Sequence, residues 1–69
     1  MQPLYEDNYL IVLNKTAGLQ TEPDPHGYPS LQEEARIYLE ETRKKRPVFI
    51  QPVHRLDRPV SGVVLFALK

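Results

Sequence analysis

Three short apolar runs and one amphipathic stretch organise the chain. Residues 9–13 (Tyr9, Leu10, Ile11, Val12, Leu13) are continuously apolar and too short for a helix, which predicts a buried strand. Asp7 and Asn8 ahead of them carry turn chemistry, so Leu4 and Tyr5 are placed as a short partner strand. Residues 16–29 contain Gly18, Pro23, Pro25, Gly27 and Pro29, and predict a long loop with little regular structure. Loops of that length are functional or mobile.

Ser30 and Glu33 form a capping-box pattern with Pro29 just outside, which starts a helix. Leu31, Ala35, Tyr38, Leu39 and Thr42 then fall along one helical stripe. Glu40–Lys44 and Glu41–Lys45 are predicted i,i+4 pairs, the bases from Arg43 to Arg46 complement the helix dipole, and Pro47 ends the element.

Val48, Phe49 and Ile50 are a second predicted strand, and residues 62–67 a third. The third is apolar on both faces, the pattern of a central strand covered on each side. One helix and two or three strands do not supply that cover. The pattern therefore implies the N-terminal portion of a larger domain.

Length and composition narrow the classes. A 69-residue chain buries only about 60% of the surface it exposes when unfolded. With no cysteine, disulfides, thiolate nucleophiles and Cys-based metal sites are excluded. At 41% hydrophobic and 26% charged residues, global disorder is excluded too. No apolar run approaches a membrane span and the opening is charged, so a soluble cytoplasmic chain without a membrane partner is expected. The net charge of zero hides a division: through Thr42 there are eight acids against two bases, and from Arg43 onward seven bases against one acid. A basic second half suits phosphates, although Arg43 to Arg46 also read as a solvated helix end.

Candidate chemistry lies between the second and third runs. Asp57 stands between Arg55 and Arg58 in a loop that Pro59 keeps from being helical, and Gly62 permits close backbone approach. Neighbouring cations favour the ionised carboxylate, which can act as a nucleophile or base, and arginines suit an anionic or planar partner. The plain alternative is an ion pair of Asp57 with Arg55 or Arg58 that fixes the loop. His54, Asp57 and Ser61 include the residue types of a hydrolase triad, but they crowd one loop and lack the relay geometry. Ser61 is expected instead to bond the backbone through its hydroxyl. His26 and His54 with scattered carboxylates lack ligand spacing, so no metal site is expected.

The run His54-Arg55-Leu56-Asp57-Arg58-Pro59-Val60-Ser61-Gly62 closely resembles the signature loop of the RluA-type pseudouridine synthases, which usually reads His-Arg-Leu-Asp with Thr-Ser-Gly two residues later. Leu4-Tyr5-Glu6-Asp7 leading through a strand to Asn14-Lys15-Thr16-Ala17-Gly18 resembles that family's first motif. Two motifs in the family order cover most of the chain. Thr16 departs from the family's proline and Val60 from its threonine, and neither departure alters the Asp57 carboxylate or Arg55.

The resemblance implies an α+β fold, a mixed and mostly antiparallel sheet with helices packed on it and an RNA cleft across it. It implies an isomerase that converts uridine in tRNA or rRNA to pseudouridine: the N-glycosidic bond breaks, the base rotates and a C–C bond forms, with no external cofactor. By position, Asp57 is the catalytic carboxylate, acting at the sugar, at the base or on a proton. Arg55 would occupy the place the base vacates, and Arg58 is assigned a phosphate contact. His54, Ser61 and Gly62 support the loop, with Asn14 and Lys15 beneath it. The family also uses a later tyrosine and a basic residue, and Tyr5, Tyr9, Tyr28 and Tyr38 match neither. Residues 1–69 are thus expected to be the N-terminal part of a catalytic domain, without an S4 domain, inactive alone, from a monomeric parent. The alternatives are a non-catalytic RNA-binding remnant, or a small interaction module whose bare terminal strand pairs with a partner sheet.

Overall fold

In the computed structural model, which describes all 69 residues, a side chain closes the first hairpin. Asp7 Oδ1 accepts from the Tyr9 and Leu10 amides at 2.7 and 2.9 Å, and Oδ2 accepts the Tyr5 hydroxyl at 2.7 Å. The Tyr5 hydroxyl above all, then the two amides, hold the Asp7 carboxyl below its usual range. This turn joins β1 (Tyr5–Glu6) to β2 (Leu10–Lys15). After α1 (Leu31–Arg43) come β3 (Gln51–Pro52) and β4 (Gly62–Ala67). The sheet order is β1-β2-β4-β3 and every strand pairing in it is antiparallel, so the fold is a small α+β unit of four strands and one helix.

The longest ladder pairs β2 with β4, from Leu10 opposite Ala67 to Lys15 opposite Gly62. Alternation along both strands puts Ile11 and Leu13 beside Val64 and Phe66 on one face. Helix α1 lays Leu31, Ala35 and Leu39 on that face, and Ile50 and Leu68 complete the core.

The helix starts at Ser30 with half of the expected capping box, because the Glu33 carboxylate turns to Arg36 and not back to the Ser30 amide. Ser30 Oγ accepts the Glu33 amide at 3.1 Å. Its next free amides are satisfied from the preceding loop: Leu31 N–H donates to Gln20 O at 2.7 Å and Gln32 N–H to Thr21 O at 3.0 Å.

The helix ends earlier than Pro47 suggests. Lys44 takes the left-handed conformation at φ 54°, and its N–H donates to Glu40 O. Lys44 and Lys45 therefore lie past the last turn, and the expected pairs with Glu40 and Glu41 do not form. Glu40, 6% exposed, binds Arg36 Nη1 at 2.8 Å and the Val48 amide at 3.3 Å. Only Arg43 serves the last turn, reaching Glu6 at 3.1 Å and the Asp7 carbonyl at 2.8 Å. Thr42 is exposed and bonds back to Tyr38 O, so the buried stripe stops at Leu39.

Two further expectations change. The strand predicted at residues 48–50 begins at Gln51, because Glu40 draws the Val48 amide toward the helix and away from the ladder. Strand β4 is not a bare edge, since β2 and β3 flank it. It is central, as its apolar pattern predicts, and one helix covers one face only, as the count of elements predicts, leaving Val63 on the other face 53% exposed. No helix is long and apolar enough to cross a membrane.

Candidate active site

The loop between β3 and β4 carries Asp57, and buried polar groups set its path. Residue Leu56, immediately before Asp57, is fixed at both its backbone groups by one hydroxyl: Thr21 Oγ1 donates to Leu56 O at 2.9 Å and accepts from Leu56 N–H at 3.0 Å. Residue Arg58, immediately after, has its carbonyl held by Gly18 N–H at 2.7 Å and by Lys15 Nζ at 3.0 Å. The turn from Asp57 to Val60 closes with a 2.9 Å bond from Val60 N–H to Asp57 O.

Lys15 explains why a cation ends an apolar strand. It is fully buried, and its ammonium donates to the carbonyls of Thr16, Leu19 and Arg58. Gly18 takes φ 92°, which lets its amide turn toward Arg58. Asn14, its neighbour in the same motif, alternates to the other face, opposite Val63, and is exposed with no side-chain hydrogen bond. The structure thus brings Lys15 to the loop and leaves Asn14 away from it.

Gly62 takes φ 149°, and a Cβ there would meet Leu56 Cδ1 at 3.0 Å. Leu56 therefore packs closely on Gly62, and a larger residue there would have to take a strained backbone and push the leucine tip aside. His54 Nε2 accepts the Leu65 amide at 3.3 Å, tying the loop's first residues to β4. Ser61 is exposed and makes no hydrogen bond within the chain, so the expected hydroxyl–backbone bond is absent. His54, Asp57 and Ser61 are not bonded to one another, which leaves no triad relay.

Neither arginine closes on Asp57. Arg55 Nη1 binds Glu22 at 2.7 Å, and the Arg58 guanidinium lies over the Tyr28 ring, 4.5 Å from its centre. The ion pair that would have made Asp57 a purely structural carboxylate does not form, and Asp57 is left exposed. It lines a hollow of about 130 Å³ between Gln20, Thr21 and Glu22 on one wall and Arg55, Leu56 and Arg58 on the other. A larger hollow, about 530 Å³, lies between β2, α1 and Met1, and of the candidate residues it holds only Asn14. No group of three or more His, Asp or Glu side chains is placed to hold a metal ion.

The basic second half does not make one patch. Arg43 meets Glu6 and Asp7 at the start of β2, whereas Arg58 meets Lys15 at its end. Thr21, Glu22 and Tyr28 were not singled out as site residues from sequence. A hydroxyl, an acid and an aromatic in a Pro/Gly-rich loop carry no spacing signal, and only the fold brings them to residues 55–58.

Comparison with known proteins follows the same residues. A model of the RNA pseudouridylate synthase family matches residues 9–69. The chain is 38% identical to a tRNA pseudouridine synthase C of Haemophilus influenzae, over 99% of the chain and 27% of the relative. It is 41% identical to a ribosomal large subunit pseudouridine synthase C of Buchnera aphidicola, over 96% of the chain and 19% of the relative. It is 39% identical to a dual-specificity RNA pseudouridine synthase RluA of Haemophilus influenzae, over 94% of the chain and 27% of the relative. The chain thus spans about a quarter of the length of the curated relatives it matches.

Proposed function

Since this chain belongs to the RNA pseudouridylate synthase family, we propose that the protein isomerises uridine in tRNA or rRNA to pseudouridine, with Asp57 as the catalytic carboxylate. Residues 1–69 then form part of the catalytic domain and supply its aspartate loop. The observation that carries the reading is an exposed Asp57 whose carboxylate has no intrachain partner, on a loop braced on either side of it. Such a carboxylate has nothing to neutralise inside the protein and is free to meet a substrate.

The reaction is an isomerisation, so no external reagent enters its balance. The N1–C1′ bond breaks, C5 bonds to C1′, the hydrogen on C5 leaves, and N1 gains one. A base in a helix must leave its stack to be reached, at a cost of a few kcal/mol. Arg55, exposed beside the hollow, is assigned to the vacated place through its planar guanidinium, and Arg58 to a phosphate. Lys15, Gly62 and His54 hold the loop, and the enzyme acts as a cytoplasmic monomer.

The test is Asp57→Asn in the complete protein, assayed by tritium release from RNA carrying [5-³H]uridine. Turnover is expected to vanish while RNA binding stays within about threefold, because the change removes a reacting group and not a binding contact. Retained turnover would remove Asp57 from the role.

A further inference from the structure

The loop before the helix contains a residue that no motif marks and whose side chain is bonded twice to the backbone of the reacting segment. Thr21 is 4% exposed, and its single hydroxyl is both donor and acceptor to the backbone of Leu56, the residue before Asp57. Its own backbone is equally fixed, since Thr21 O accepts the Gln32 amide in the first turn of α1 and Gln20 O accepts the Leu31 amide. Leu31, Ala35 and Leu39 anchor that helix in the core. A continuous path therefore runs from the core through α1 and Thr21 to the peptide that carries Asp57.

We propose that Thr21 is a positioning residue: it transmits the rigidity of α1 to the aspartate loop and so fixes where the Asp57 carboxylate stands relative to the bound uridine. This rests on the reading of Asp57 as the catalytic carboxylate. The loop needs such a hold. Between Pro52 and Gly62 it has no regular structure, and Asp57 itself has no side-chain bond to locate it. Lys15 grips the far side at Arg58 O, but that carbonyl keeps the Gly18 amide in any case. No other protein group is bonded to the Leu56 amide and carbonyl. The hydroxyl is essential to this role and the γ-methyl is not, which separates positioning from packing.

The experiment compares Thr21→Val and Thr21→Ser in the complete protein, by tritium-release kinetics and by hydrogen–deuterium exchange of a peptide covering residues 54–62. Valine keeps the shape and loses the hydroxyl; serine keeps the hydroxyl. Thr21→Val is expected to lower kcat roughly 10- to 100-fold with KM for RNA moving less than about threefold, the mark of misplaced chemistry and not of lost binding. Exchange in the 54–62 peptide should rise in the same variant. Thr21→Ser should restore both kcat, to within about threefold, and the slow exchange, because the hydroxyl can make the same two bonds.

Equal losses in the two variants would overturn the proposal, as would faster exchange in Thr21→Val with wild-type kcat. A loss carried wholly by KM would overturn it too. A wild-type protein that releases no tritium would instead refute the functional reading, and the exchange comparison would still decide whether Thr21 holds the loop.

Discussion

Replacing Lys15 by methionine isolates the buried ammonium at the end of β2. The apolar stem is kept, and three donations are lost, to Thr16 O at 3.2 Å, Leu19 O at 2.5 Å and Arg58 O at 3.0 Å. Two of these acceptors keep a partner: Arg58 O retains the Gly18 amide at 2.7 Å, and Thr16 O retains the Leu19 amide at 3.3 Å. Only the Leu19 carbonyl is stranded, at about 1–3 kcal/mol, and each charged bond lost elsewhere adds up to about 1.5–3 kcal/mol. Removing a buried charge also returns its desolvation cost, several kcal/mol for an unrelaxed ion. The opposing contributions leave an expected loss of about 2–4 kcal/mol, a large share of the ~5–15 kcal/mol that holds a typical domain. The assay is urea unfolding of the complete protein, read as a shift in midpoint at unchanged m. Asn14→Ala, one residue earlier in the same motif but exposed, should stay within about 0.5 kcal/mol of wild type. A Lys15→Met loss no larger than that control would refute the carbonyl cage, because an ammonium so easily removed would be one that water already solvates.

Two further perturbations test other parts of the site and core. Gly62→Ala forces a Cβ at φ 149° to within 3.0 Å of Leu56 Cδ1, and is expected to cost about 1–3 kcal/mol in urea unfolding and to disturb the aspartate loop; wild-type stability would show that the loop does not sit against β4. For Glu40, burial acts to raise the carboxyl, and Arg36, the Val48 amide and Arg46 outweigh it, so its folded value lies below the ordinary 4.5. The unfolded chain therefore binds the proton first as pH falls. The stability from Glu40 is complete above about pH 4.5 and is lost as pH drops through the lower folded value. Glu40→Gln should flatten the fall in urea midpoint between neutral pH and pH 3, and an unchanged slope would exclude Glu40 as a contributor.

Local chemistry was legible in the sequence wherever one residue acts on near neighbours. Asp7 in its turn, Ser30 at its cap and the apolar alternation of β2 and β4 all operate over a few positions. The errors sit where a distant partner competes. Glu40 was assigned to Lys44 by helical spacing, but the left-handed Lys44 ends the helix first, and Arg36 and the Val48 amide take the carboxylate. The same carboxylate displaces the predicted second strand by three residues. Apolar residues on both faces of β4 mark a central strand, and the one helix available covers only one of those faces, the shortfall that the count of elements predicts. The family motifs located the aspartate loop and could not separate Asn14 from Lys15, which adjacency joins and the pleat divides. Thr21 was illegible because its role depends on a contact across 35 positions of sequence.

The contacts around Asp57 fall into two energetic classes, and the proposed function needs both. Thr21 and Lys15 are buried, so their bonds to the loop backbone cannot be exchanged for water without stranding polar groups. The arginine contacts are different. Arg55 and Glu22 keep 72% and 40% of their side chains exposed, which puts their pair at about 0–1 kcal/mol. Arg58 lies over a Tyr28 that is 50% exposed, worth about 0.5–1 kcal/mol. Releasing both costs at most about 2 kcal/mol, between one and two decades in affinity. A single charged hydrogen bond from either guanidinium to RNA returns about 1.5–3 kcal/mol. Glu22 and Tyr28 therefore do not block the arginines. They hold two long side chains beside the hollow, where part of the ~2 kcal/mol of rotamer entropy each would lose on binding is already lost in the free protein. The backbone that carries the carboxylate is locked, and the cations around it are parked at a strength that RNA can overcome.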